Sequence, residues 1–260
     1  MIFINALSTG SCGNCYLVKY HINNLVKYIM IDCGFSYKQL SQMLKKEHIQ
    51  FEDISHLIIT HEHCDHIKGL EQILKLHSHL KLIISKGTNE ALNNNFLNTQ
   101  FISNNQKIII ESTLTITGIQ KTHDGKEPLS FTIEDIQHQK RIAIFTDLGE
   151  FNPIHCNILQ LSDIIFLETN YDTQLIKTSN MHHSYIQRLQ SPLGHLSNSQ
   201  AAELCSKFIK ENQTIILSHI SQNVNSYNKA FNTIHSVIKE KNLQNIDLKI
   251  SYQLEPTGWI

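Results

Sequence analysis

No apolar run in this chain approaches the roughly 20 residues that a membrane-crossing helix needs. Its first residues, Met1-Ile2-Phe3-Ile4-Asn5, lack the basic and long apolar segments of a signal peptide. A soluble, cytoplasmic protein is therefore expected, with no membrane partner. Excess charge is missing too. A formal net charge of -1 supplies no global attraction for nucleic acid, although a local basic groove is compatible with a neutral total. Cysteine is sparse for 260 residues. Cys12, Cys15, Cys33, Cys64, Cys156 and Cys205 sit mostly in apolar or turn contexts, which suits reduced thiols. Cys12 and Cys15 form a single C-x-x-C with no second pair and no redox-type context, so zinc binding or disulfide cycling is not read there.

What is present is an ordinary globular composition, 41% hydrophobic and 17% charged, over a length that is often one domain. A single domain over residues 1–260 is expected. Strand-like runs rich in Ile, Leu, Val or Phe recur at 2–7, 15–19, 27–32, 56–60, 81–85, 107–111, 114–121, 129–135, 141–146, 163–168, 214–218 and 247–251. Helical periodicity fits 36–46, 67–78, 87–95, 150–161, 198–211 and 226–240. Strands dominate before and between helices without strict alternation. The prediction is an α/β (α+β) architecture of two sheets with helices on their outer faces, not a doubly wound parallel sheet. The Asn-rich stretch 92–98, followed by Ser103-Asn104-Asn105, reads as a loop.

The densest chemistry follows the run His56-Leu57-Ile58-Ile59-Thr60, where His61, His63, Asp65 and His66 stand in H-x-H-x-D-H spacing. Sixteen histidines make chance pairs common, but four ligand-type residues at a strand end read as a site for a divalent ion such as zinc, manganese or iron. One ion cannot use all four well. Part of the cluster then serves a second ion, with further ligands from later strand ends. His123, Asp147 and His219 each follow an apolar run that stops there. Asp32 ends such a run as well, and suits a role hydrogen-bonding a ligand imidazole or a backbone amide. His195, in Gly194-His195-Leu196-Ser197-Asn198 before a helical pattern, is placed to contact a phosphate or protonate a leaving group.

With those residues in view the chain resembles the metallo-β-lactamase superfamily, whose H-x-H-x-D-H signature His61, His63, Asp65 and His66 match. Within it the likeness is to the WalJ/YycJ (VicX) family. Ser8 to Asn14 is similar to that family's S-G-S-x-G-N turn, Asp32-Cys33-Gly34 to its D-x-G, Glu168 to Asp172 to its E-x-N-x-D, and the His195 and His219 segments to its last two motifs. The resemblance implies a four-layer αβ/βα sandwich with two divalent metals at the shared edge of the sheets. It assigns His61, His63 and His123 to one ion, Asp65, His66 and His219 to the other, and Asp147 as the bridge. It also implies catalytic roles for Asp65, Asp147 and His195, and substrate contacts from Ser8, Ser11, Asn14, Asn170 and His195. Thr9 and Cys12 depart from the turn's usual serines.

Two ions about 3.5–4 Å apart lower the pKa of a shared water and stabilise charge growing on a phosphodiester oxygen, so no Ser or Cys nucleophile is needed. The activity the resemblance implies is 5′-to-3′ exonucleolytic cleavage of DNA. The scaffold itself does not select it. Hydrolysis of a small phosphodiester, ester or thioester, and a non-catalytic metal-binding accessory protein, stay open as alternatives. The small interval between Asp147 and His195 leaves no room for the inserted domain of RNase J-like enzymes.

Overall fold

A computed structural model describes residues 1–23 and 25–260. The first sheet has six strands in sequence order, β1 (Phe3–Ser8), β2 (Cys15–Ile22), β3 (Leu25–Ile31), β4 (Ile54–Ile58), β5 (Lys81–Ile84) and β6 (Thr99–Phe101). The second has seven, β7 (Lys107–Ile110), β8 (Leu114–Gln120), β9 (Leu129–Asp135), β10 (Arg141–Phe145), β11 (Ile164–Glu168), β12 (Thr214–Ser218) and β13 (Asp247–Ile250). Each sheet starts as an antiparallel meander and continues with parallel strands. Both are therefore mixed, and the parallel joins need the crossover helices that cover the outer faces.

Alternation along the strands explains the layers. In β2, Tyr16, Val18 and Tyr20 join a core shared by the two sheets, while Cys15 and Leu17 face outward. The outer residues pack beneath α1 (Tyr37–Lys46) and α3 (Leu70–Leu76), with α2 (Cys64–Ile67) and α4 (Lys86–Ala91) between and after them. Against the second sheet lie α5 (Pro153–Leu161), α8 (Asn198–Phe208) and α9 (Tyr227–Glu240), through Leu159, Leu204, Ala230 and Ile234. Tyr16 meets Phe166 edge to face across the central layer, centroids 5.2 Å apart. The result is the expected αβ/βα sandwich. Residues near the C-terminus cap the β1 edge, with Ile4 and Ile260 exchanging both backbone hydrogen bonds.

Several local expectations need correction. The helical pattern at 67–78 breaks into α2 and α3 around Gly69, whose amide bonds the Cys33 carbonyl at 2.9 Å. The short edge strand β6 lies between the Asn-rich stretch 92–98 and Ser103, where no strand was expected. Two further helices, α6 (Leu175–Thr178) and α7 (His183–Gln190), were not predicted. Three strand residues, or a helix with only Ile186 and Leu189 as aliphatic contacts, are too short for periodicity to register.

The first turn of α5 carries an unusual closing residue. Asn152 Oδ1 accepts from Ile154 N and His155 N, while His155 Nδ1 accepts from Asn152 N at 3.1 Å, so histidine completes a capping box usually closed by Glu or Gln. Burial pushes the His155 pKa down to about 4, the Gln120 backbone only partly opposing it. Such a ring is neutral when folded and protonates from about pH 6.5 when unfolded. Its contribution to stability is complete above that pH and is lost as pH falls toward 4. In protein stripped of ions, going from pH 7 to 5 is expected to cost about 2 kcal/mol at this residue. The difference in urea stability between wild type and His155→Gln should shrink by about that amount from pH 7 to 5, the other buried histidines contributing alike to both. An unchanged pH dependence in the variant would rule out a buried neutral ring.

Candidate metal centre

The site is built where strands end. Asp32 follows β3, Thr60 and His61 follow β4, Lys121 and His123 follow β8, Asp147 follows β10, and His219 follows β12. Asp32, Asp147 and His219 all take positive φ, 58°, 55° and 54°. A left-handed residue at a strand end turns the chain sharply and costs roughly 1 kcal/mol or more where the residue is not glycine. All three are buried at this edge, and their side chains converge there.

One group consists of His61, His63 and His123, whose ligand nitrogens lie within 4.8 Å of one another. Each ring is oriented by a partner on its other nitrogen. Thr60 Oγ1 donates to Asp32 Oδ2 at 2.9 Å, which leaves the Thr60 oxygen to accept from His61 Nδ1 at 2.9 Å. His63 Nε2 lies 3.3 Å from Asp124 Oδ1, and His123 Nδ1 donates to the Gly194 carbonyl at 3.1 Å. These partners set the tautomers so that His61 Nε2, His63 Nδ1 and His123 Nε2 turn lone pairs inward. The inward nitrogens approach to 3.0 and 3.3 Å. Lone pairs that close repel unless a cation sits among them. An added proton on His61 or His123 does not fill the role, because burial holds the pKa of His61 well below the usual histidine range and that of His123 down to about 3. Neutral inward imidazoles are the donor set of a borderline divalent ion.

A second group brings together Asp65, His66 and His219, again within 4.8 Å. Asp32 Oδ2 takes the proton of His66 Nδ1 at 2.7 Å, and Glu168 Oε1 that of His219 Nδ1 at 3.1 Å. Asp147 stands between the groups, Oδ2 at 3.3 Å from His66 Nε2 and Oδ1 at 3.2 Å from His219 Nε2. Yet Asp147 Oδ2 and His219 Nε2 are buried without an aligned hydrogen-bond partner. Atoms this close but not aimed at each other are consistent with a shared third centre.

Burial opposes charge on His66, but Asp32 and Asp147 overcome it and hold its pKa up at about 10. Burial likewise opposes charge on His219, where Asp147 and Glu168 prevail and the value is about 9. Asp147 is kept well below the usual carboxylate range, since His219, His66 and Lys121 outweigh its burial. This half of the site is made for positive charge. The residues present fit divalent ions in both groups, and such ions would let the edge accept an anion, because among the described residues Asp32, Asp65, Asp124, Asp147 and Glu168 face only Lys121 and Arg188 as fixed cations.

His195 Nδ1 bonds Glu168 Oε1 at 2.7 Å and its ring stacks on His219, centroids 5.1 Å apart. Burial works against the Glu168 charge, but His195 and His219 hold its pKa down at about 2. A carboxylate fixed on Nδ1 leaves Nε2 for proton transfer. Helix α7 and the loop after it position this side of the site through three contacts. The Leu189 carbonyl accepts from His195 N at 3.0 Å, the Gly194 carbonyl accepts from His123, and Arg188 Nε donates to Asp124 Oδ2 at 2.6 Å. A Cβ at Gly194 would come within 2.3 Å of both the Arg188 and Leu189 carbonyls, so only glycine passes there. Through Asp124, Arg188 controls His63. Arg188→Ala is expected to weaken metal affinity about tenfold, the lower end for outer-sphere changes, in competition with a chelating dye. Unchanged affinity would show that Asp124 orients His63 unaided.

Other candidates are placed less directly. Asn14 is buried, its Nδ2 3.0 Å from His66 Nε2 and its backbone amide donating to the Asp65 carbonyl. The neighbouring Gly34 passes so near that a Cβ would sit 1.8 Å from the Asp65 oxygen. Ser8 is fully buried and its Oγ accepts from Leu254 N at 3.4 Å, and Asn170 Nδ2 donates to the His219 carbonyl at 2.8 Å. Both side chains are buried at the edge, where they brace Leu254 and His219. Ser11 is exposed at the tip of the turn. Cys64 is exposed and Cys15 buried, and neither belongs to a ligand group among the described residues. Sequence reasoning gave no role to Glu168, Lys121, Asp124 or Arg188. Glu168 and Lys121 end apolar runs just as Asp147 does, which is the signal that points to them; Asp124 and Arg188 offer none.

Known proteins share this architecture. The chain is 25% identical over 248 residues to Exodeoxyribonuclease YycJ of Bacillus anthracis, covering 92% of this chain and 90% of that protein. It is 26% identical over 260 aligned residues to Exodeoxyribonuclease WalJ of Streptococcus pneumoniae strain D39, covering 96% and 93%. The metallo-beta-lactamase fold protein YhfI from Bacillus subtilis superposes with a TM-score of 0.71 at 14% identity over 98% of both chains. No helix among the described residues is long and apolar enough to cross a membrane. Because the profile of the beta-lactamase superfamily domain matches residues 27–220, most of the length and the whole set of converging ligands, the chain belongs to that superfamily and is a metallo-β-lactamase-fold hydrolase.

Proposed function

We propose that this hydrolase is a two-metal phosphodiesterase that degrades DNA from the 5′ end. The observation that carries it is the pair of ligand groups meeting at Asp147. His61, His63 and His123 would hold one ion and Asp65, His66 and His219 the other, with Asp147 facing both groups. Zinc and manganese suit these nitrogen and oxygen donors, and iron is also compatible. When bound there, divalent ions would supply Lewis-acid activation of water and offset charge developing on the phosphate. The chain's own part is to place them and to manage the proton. His195, held by Glu168, delivers a proton from Nε2 to the leaving oxygen. Thr60, Asp32 and Glu168 hold the ligand rings rigid, so little reorganisation accompanies reaction. Support for nucleic acid as substrate comes from the exodeoxyribonuclease names of the two relatives matched nearly end to end.

The test is a substrate panel of 5′-labelled single- and double-stranded DNA, RNA, a small chromogenic phosphodiester and a thioester, with manganese or zinc. DNA should be shortened progressively from its 5′ end and the thioester left intact. Hydrolysis of the small substrates alone would replace this reading with a small-molecule hydrolase.

A further inference from the structure

Beside the centre runs a groove of about 590 Å³ between α1 and the C-terminal segment, with Phe35 at its inner end and Lys45, Lys46 and Leu254 farther along. Resting on the nuclease reading, we infer that this groove carries one strand of the DNA substrate away from the metal centre.

Position connects it to the chemistry. A Cβ at Gly13 would lie 2.7 Å from the Phe35 ring, and Gly13 precedes Asn14, whose amide nitrogen is 3.0 Å from His66 Nε2. The groove thus opens two residues from the candidate ligands. Charge favours a polyanion. Helix α1 holds Lys38, Lys45 and Lys46 and no carboxylate over its length, in a chain whose net charge is only -1. Glu47 and Glu255, which adjoin lining residues in sequence, are outside the lining, and Glu47 accepts a hydrogen bond from Asn5.

The floor suits unstacked bases. Gln39, Gln42, Met43 and Lys46 recur at helical spacing on one face of α1, so amides and an apolar thioether alternate toward the lysines. Leu254 is 62% exposed on the opposite wall. Gln39 Oε1 is engaged by Ser36, which leaves its Nε2 to donate to a phosphate or base. Lysines along a groove that also offers Met43, Leu254 and the edge of Phe35 suit sequence-tolerant binding of a single strand.

The test uses metal-loaded protein and a fluorescent single strand of about 20 nucleotides, phosphorothioate-linked so that it resists cleavage. Lys45→Glu with Lys46→Glu should weaken binding about tenfold or more. The slope of log affinity against log salt should fall by about 1.4, from 0.7 per phosphate contact. Hydrolysis of a dinucleotide, too short to reach the lysines, should be unchanged. Wild-type affinity in the double variant, or equal losses on the strand and the dinucleotide, would overturn the groove assignment even if DNA is cut. If the strand binds, the variant weakens it and no DNA is hydrolysed, the groove stands and the nuclease reading fails.

Discussion

Asp147→Asn is expected to lower DNA hydrolysis by about 10³-fold or more while the chain stays folded. The substitution keeps the shape of the side chain but removes the charge that stands between His66 Nε2 and His219 Nε2. On the two-metal reading, both ligand groups lose a shared carboxylate charge at once. Metal content should therefore fall together with turnover, one ion being released more readily than the other. Measured kcat/KM on labelled DNA alongside metal content by mass spectrometry checks this. Turnover within about tenfold of wild type, with both ions retained, would show that Asp147 does not join the two groups.

His195→Ala should behave differently, cutting turnover by about 10²–10³-fold with metal content near wild type. Its ring is fixed through Nδ1 by Glu168 and lies outside the two triads, so its removal leaves their donors in place. Glu168→Gln should reproduce the loss in kcat and add a loss in metal affinity, because Glu168 also orients His219. The double variant should be little worse than the poorer single one, since both act through one hydrogen bond. Release of metal from His195→Ala would instead identify His195 as a ligand.

How much of this was legible in the sequence depends on whether a residue's role is written in its neighbours. His61, His63, Asp65 and His66 stand within six residues, and Asp147 and His219 each end an apolar run, so spacing alone exposed them. Tight backbone at Asp32, Asp147 and His219, with positive φ at each, could not be read, because nothing in an Asp or His marks that conformation. The Arg188 to Asp124 link joins side chains 64 positions apart, both at least partly exposed, and leaves no trace in periodicity. Ser8 and Asn170 show the converse. Their motifs were legible, yet the fold turns both inward, where they hold Leu254 and His219 in place.

The most direct test is to titrate metal into stripped protein and follow hydrolysis of 5′-labelled DNA against equivalents added. Activity should appear only as the second site fills and should level off at two ions per chain. Full activity at one equivalent, or none at any loading, would contradict a two-metal phosphodiesterase.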